Sequence, residues 1–297
     1  MKRKVIKQAG GAYTLTLPIE WVRANGISKK SEVDVAVDGK SLMVSNTGKV
    51  GERKTKINVD DFDFRNVYRY INALYALGYD EIEVSSKEDI SSLIIKSLNS
   101  LIGYVLVSNE GDRYVIKDIG GGCNSDLDEV FKRAFQAVLL FYDSAIKDIF
   151  GKKEETNESL RVRDLEVNKL CLYLQRAINK MSYNDPIRGR ILFSYSVDLE
   201  QIGDEVCRLW RYNILNKNLK NDSLKKIIEL SKLCLDKSFD LFYRPNSSEI
   251  EKLYALREKL RKEVESVKNP NKMTYQALRI AEGAVDLSHL TLMKNLE

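Results

Sequence analysis

The first forty-five residues alternate apolar and polar side chains with the period of a strand, the next seventy switch between strand and helix periods, and everything after residue 125 reads as helix. Val5-Ile6-Lys7 leads into the Gly10-Gly11 turn, and Tyr13 to Leu17 alternates until Pro18 stops it. Ile19 to Ala24 supply one or two helical turns, closed by Asn25-Gly26. Val33, Val35 and Val37 alternate again, and the turn Asp38-Gly39 hands over to Leu42-Met43-Val44, a hairpin signal. So short a segment with so few large apolar side chains is not expected to build a core alone, and dimerisation is the remedy.

Residues 53–118 predict a compact α+β unit. A strand near 54–57 precedes a helix over 63–77, in which Val67, Ile71 and Leu74 recur at helical spacing and which Gly78 ends. Glu81 to Val84 is a short strand, and a second helix runs from Asp89 to Leu101 before Gly103. Tyr104 to Val107 and Arg113 to Ile116 flank a turn and form a hairpin. The unit offers no site chemistry.

Beyond residue 125 six helices are predicted, over 126–150, 159–183, 187–217, 221–243, 248–268 and 272–295. Long helices with short connections describe antiparallel bundles. In the third, Leu192, Tyr195, Leu199, Ile202, Val206 and Leu209 are spaced by threes and fours, a bundle seam. The third and sixth helices carry related sequence, so the six read as two similar three-helix units.

Charge changes the picture most at the N-terminus. The chain has 297 residues and a net charge of +5, yet residues 1–56 hold twelve Lys/Arg against five Asp/Glu, and the other 241 hold 36 against 38. The whole basic excess lies in the first fifth of the chain, which favours a polyanion partner for that segment. No apolar run reaches the length of a membrane helix, and a cytoplasmic protein without membrane insertion is expected. Four cysteines (Cys123, Cys171, Cys207 and Cys234) lack CxxC spacing and read as reduced thiols. One histidine, His289, no GxSxG elbow and no phosphate-binding GxxxxGK[ST] loop leave little for covalent chemistry, so no enzyme is expected.

The sharpest motif occurs twice. Glu200-Gln201-Ile202-Gly203-Asp204 in the third helix and Glu282-Gly283-Ala284-Val285-Asp286 in the sixth are both ExxxD with an internal glycine. Carboxylates four apart stack on one helix face and repel by a few tenths of a kcal/mol, and a mid-helix glycine costs about 1 kcal/mol more. Two readings remain open: a solvated acidic face paired with Arg208 and Arg279, or a site for a cation that carboxylates hold, such as iron, zinc, magnesium or manganese. His289, three residues after Asp286, is either solvated or a further ligand.

Two resemblances bear on these motifs. Asp198-Leu199-Glu200-Gln201-Ile202-Gly203-Asp204 resembles the dLERIGD signature of the PhoU phosphate-uptake regulators, and Arg163 to Leu170 is similar to the [E/D]xxVDRL helix before it. The likeness covers residues 126–297 and implies a pair of three-helix bundles with metal bound by E/DxxxD motifs. Carried over residue by residue, it implies Asp164, Glu200, Asp204, Glu282 and Asp286 as ligands. Asn168 stands where that family has a second carboxylate, and the helix around 251–263 has no ExxxD.

Residues 1–46 are similar to swapped-hairpin domains of the AbrB/SpoVT/MazE kind, through Tyr13-Thr14-Leu15-Thr16-Leu17-Pro18, the Asn25-Gly26-Ile27 turn and the final hairpin. That likeness implies two chains interlocked into one β-barrel, with DNA contacts from Lys2, Arg3, Lys4, Lys7 and Arg23. Together the two resemble a fusion seen in archaea and known there as phosphate uptake regulators.

The expectation is a multi-domain α+β protein. It comprises a swapped-hairpin DNA-binding domain over 1–50, a small α+β domain over 51–122 and a PhoU-like six-helix domain over 123–297. The function expected is a dimeric DNA-binding regulator of phosphate homeostasis. The alternative is a signalling adaptor that docks on a phosphate-transporter ATPase or a sensor kinase, with the β-domain serving only to dimerise it.

Overall fold

A computed structural model describes residues 2–8, 10–38, 41–46, 52–120, 127–151, 156–180, 186–216 and 221–296. Gly39 of the predicted turn, Gly121, Gly122 and Cys123 lie outside the described residues. The chain divides into two compact units, Met1–Arg53 and Lys54–Glu297.

In the first unit β1 (Val5–Lys7) pairs antiparallel with β2 (Tyr13–Leu15), setting Val5 opposite Leu15 and Lys7 opposite Tyr13. Gly10 and Gly11 between them have φ of 91° and 87°, a backbone that a side chain rarely tolerates. Helix α1 (Ile19–Ala24) follows Pro18 and ends where Gly26 turns left-handed, so that the Ile27 amide donates back to the Val22 carbonyl. Strands β3 (Asp34–Asp38) and β4 (Ser41–Ser45) form a second antiparallel pair. No residue of the unit whose burial is described is buried. Val5, Ile6, Tyr13, Leu15, Val35 and Leu42 are all exposed, at 45% to 68% of their surface.

The second unit begins with a four-stranded sheet. Its strands are β5 (Lys54–Asn58), β6 (Glu81–Ser85), β7 (Tyr104–Glu110) and β8 (Arg113–Asp118), in the order β5-β6-β8-β7. The β5–β6 pair is parallel and crosses over through α2 (Phe64–Ala76), and the rest is antiparallel. Ile82, Val84, Tyr114 and Ile116 point to one face and bury against Val67, Ile71 and Tyr75 of α2 and Ile94 of α3 (Ser91–Leu98). The alternate residues make a polar face on which Glu81 pairs with Lys54 and Lys117, and Glu83 with Lys56 and Arg113.

The six predicted helices are present: α4 (Leu127–Phe150), α5 (Asn157–Lys180), α6 (Pro186–Leu215), α7 (Asp222–Tyr243), α8 (Ser247–Ser266) and α9 (Lys272–Asn295). They share one apolar core, and all six seam residues of α6 are within it, each no more than 2% exposed. None of the described helices is long and apolar enough to cross a membrane.

Arg176 of α5 joins the sheet layer to these helices. Its side chain is 1% exposed. The guanidinium lies over the rings of Tyr75 and Tyr104, at 4.8 and 4.9 Å from their centroids. It donates to the carbonyls of Tyr75 (3.0 Å) and Tyr79 (2.7 Å), to the Tyr104 hydroxyl (3.3 Å), and to Asp118 (2.7 Å). Asp80 and Lys180 complete the cluster, two cations against two carboxylates. A charge this well paired is tolerated in the interior, but taking one partner away strands the others. Arg176→Leu is expected to destabilise the protein by about 3 kcal/mol. Amide exchange would show residues 54–118 opening before the helices; equal loss of protection throughout, or no loss of stability, contradicts this role.

Candidate nucleic-acid interface and carboxylate clusters

Lys2, Arg3 and Lys4 precede β1, Lys7 ends it, and Arg23 stands in the last turn of α1. All five are exposed, and none makes an ion pair among the described residues. This differs from the second unit, where most cations sit against carboxylates. Unpaired exposed lysines and arginines keep their full charge for an outside anion, and phosphate oxygens are the anion to which Arg and Lys donate best. The apolar side chains on the same strands face solvent too, so these cations sit on a surface that a single chain leaves incomplete.

The carboxylates gather on the helical part. Asp164 of α5 lies near Glu200 and Asp204 of α6, and neighbouring carboxylates disfavour the charge of Asp164 and of Glu200. Burial raises Glu200 to about 7, with Asp204 and then Asp164 adding to the rise. Burial also raises Asp164, with Asp204 next. Arg208 reaches Asp204 at 2.5 Å, and Arg211 stands 3.9 Å from Asp164, so two cations offset part of the repulsion.

The second motif has a different environment. Glu282 on α9 accepts from Arg261 at 2.7 Å and has Arg257 at 3.7 Å, both reaching across from α8. Asp286 is raised by partial burial and by Glu282. His289 is exposed, and Arg257 and then His289 offset part of the rise at Asp286. Asp204, Glu282 and Asp286 line one groove of about 520 Å³ between α6 and α9, together with Asp198, Glu205, Arg208 and Arg279. The two motifs thus meet across one groove, while Asp164 and Glu200 gather on the α5 side of Asp204. Among the described residues no group of three or more His, Cys, Asp or Glu is arranged to hold a metal ion.

Asp164 and Glu200 would be the carboxylates with charge to offer a cation, because burial and neighbouring acids oppose their ionisation, whereas Asp204 is already met by Arg208 and Glu282 by two guanidiniums.

The glycines require a correction. Their cost in the helix was an argument for a bound cation, but the structure gives them a packing reason. A Cβ on Gly203 would stand 3.0 Å from Cγ1 of Val167 on α5, and one on Gly283 would stand 2.9 Å from Cγ1 of Ile202 on α6. Both let neighbouring helices approach closely, so they carry no information about a ligand.

Arg279 reaches Glu205 at 2.9 Å rather than Glu282, and Glu205, 6% exposed, also holds Arg208 at 2.6 Å. Sequence reasoning missed Glu205, Arg257 and Arg261. Only the spacing of Glu205 and Arg208, three apart on one helix, was visible in advance, because the other contacts cross between helices.

Residues 6–52 match a family described as antidote-toxin recognition MazE, bacterial antitoxin. No curated protein and no solved structure matches the chain. The family match falls on the segment that holds Lys7 and Arg23 and the exposed apolar strands, and it bears on that segment alone.

The Glu200 carboxyl sets a dependence on pH. An unfolded glutamate ionises near its ordinary 4.5, while the folded one holds its proton to about 7. The folded state therefore binds more protons between these values, and stability falls as pH rises through that window. Glu200→Gln removes the ionisation, so its gain in stability over the native chain is expected to grow from pH 5 to pH 8. Urea midpoints at the two pH values measure this, and a constant difference contradicts the buried-carboxylate account.

Proposed function

We propose that the chain is a DNA-binding transcriptional regulator of phosphate uptake, acting as a homodimer joined through residues 1–50. The observation that carries the reading is the N-terminal unit, in which Lys2, Arg3, Lys4, Lys7 and Arg23 are exposed with no ion pair among the described residues and Val5, Leu15, Val35 and Leu42 are exposed beside them. A second copy interleaved with the first, as in a swapped-hairpin barrel, would cover Val5, Leu15, Val35 and Leu42 and bring two sets of basic residues onto one surface. The match of residues 6–52 to the MazE family supports the same reading, since such domains dimerise and bind DNA.

The phosphate assignment rests on the likeness of residues 126–297 to PhoU regulators. In this reading the helical part is the sensor, and a divalent or trivalent ion (iron, zinc, magnesium or manganese) is held by Asp164, Glu200 and Asp204. The ion would supply positive charge where burial and mutual repulsion now oppose ionisation. Such an ion would favour the ionised form of Glu200 and would hold α5 and α6 together through Asp164, Glu200 and Asp204.

Titration of a labelled duplex with the full chain tests the DNA-binding half. Affinity is expected to fall by about 10³ between 50 and 200 mM salt, as for six or more phosphate contacts per dimer. Affinity that ignores salt, or that survives Lys4→Gln, Lys7→Gln and Arg23→Gln together, contradicts it. For the sensor half, added Mn²⁺ is expected to raise the melting temperature of the native chain but not of Asp204→Asn; an equal rise in both removes the ion from this site.

A further inference from the structure

The α+β layer holds a second set of unpaired cations. Of the lysines and arginines between residues 54 and 118, Lys54, Lys56, Lys87, Arg113 and Lys117 all sit against carboxylates. Arg65 and Arg69 of α2 and Lys96 of α3 remain, and among the described residues none of them has an ion-pair partner. All three are exposed.

Arg65 and Arg69 share one flank of α2, and Lys96 approaches the start of that helix from α3. Arg65 and Arg69 are one helical turn apart, about 6 Å along the axis of α2. Tyr68 lies between them in sequence, half-buried, on the same flank of the helix as Arg65. Lys96 reaches across from α3 and places its ammonium 5.5 Å above the ring of Phe64, which packs on Tyr68 at 6.5 Å between centroids. The ring orients the lysine without cancelling its charge.

The nearest acids make no ion pair with the set among the described residues. Asp63 caps α2 by accepting from the Asn66 amide at 2.7 Å, which turns its carboxylate toward the helix terminus. Asp89 is held by Ser91 and Tyr114. Asp61, before the helix and four residues ahead of Arg65, is exposed as well.

We infer that this face of α2 and α3 is a second DNA contact, at which Arg65, Arg69 and Lys96 donate to the phosphate backbone of a duplex. Two planar guanidiniums a turn apart, a directed ammonium and the phenol of Tyr68 are the donors that phosphate oxygens take from proteins. The rings here pack on each other and under Lys96 instead of opening an apolar pocket, so the face suits a chain of charges better than an apolar anchor. The inference rests on the DNA-binding reading above and adds contacts from a layer with no relation to the MazE-like segment. Contacts of this kind add affinity without sequence preference.

Titration of a labelled duplex at several salt concentrations separates the two ideas, using the full chain in three forms. These are the native protein, Arg65→Gln/Arg69→Gln/Lys96→Gln, and Arg3→Gln/Lys4→Gln/Lys7→Gln. Glutamine keeps helix propensity, and circular dichroism confirms that each variant is folded. With three phosphates per chain and two chains on the duplex, the plot of log affinity against log salt is expected to be shallower by about 5 in the α2–α3 variant. Arg65→Lys/Arg69→Lys should restore most of that slope. An unchanged slope in the α2–α3 variant with a reduced one in the strand variant overturns this inference and leaves the DNA-binding reading standing. Absence of salt-dependent binding by the native chain overturns both. Displacement of the duplex from this face by polyglutamate at equal charge concentration also overturns it, marking the face as a site for acidic protein.

Discussion

A segment that buries no side chain has no means of holding its own shape, and among the described residues of 1–53 whose burial is known, none is buried. Folding must offset about 1 to 2 kcal/mol of backbone entropy for each ordered residue, and burial of apolar surface is the main term available. The second unit meets this demand with two apolar cores and a buried guanidinium that ties them together. The first presents two hairpins and one short helix with Val5, Ile6, Tyr13, Leu15, Val35 and Leu42 in solvent. Whatever completes that unit must cover these side chains while leaving the lysines and arginines free. In the proposed dimer a second copy would do both, because its own apolar strand faces would cover those of the first.

The second unit shows how charge is handled when burial is available. Arg176 is enclosed by two tyrosine rings, main-chain carbonyls and two carboxylates, so its charge is compensated at every side. Glu282 is met by arginines from the next helix. Asp164 and Glu200 depart from this pattern, since burial and neighbouring carboxylates oppose their charge and only partial compensation comes from Arg208 and Arg211. The α5 helix carries both Asp164 and Arg176, so a change at the carboxylates acts on the same rigid element that grips the sheet.

Much of this architecture was legible because it rests on periodicity. The six long helices and the α6 seam follow from apolar spacing, and the glycine stops at Gly78 and Gly103 both have positive φ, as a chain reversal there requires. The basic surplus of the N-terminal segment was readable from charge alone. Contacts between elements were not. Arg176 looks like any surface arginine in the sequence, because its partners Tyr75, Tyr79, Tyr104, Asp80 and Asp118 lie 58 to 101 positions away. The same limit hid Arg257 and Arg261 behind Glu282. It also misdirected the reading of Gly203 and Gly283, whose purpose is visible only when Val167 and Ile202 are seen against them.

The account stands on the N-terminal unit acting in pairs on nucleic acid. Sedimentation equilibrium of the full chain mixed with a short duplex measures that directly, through the mass of the complex. Two chains on one duplex is the expected result. A complex of one chain per duplex, or free chains and free duplex side by side at low salt, would contradict it.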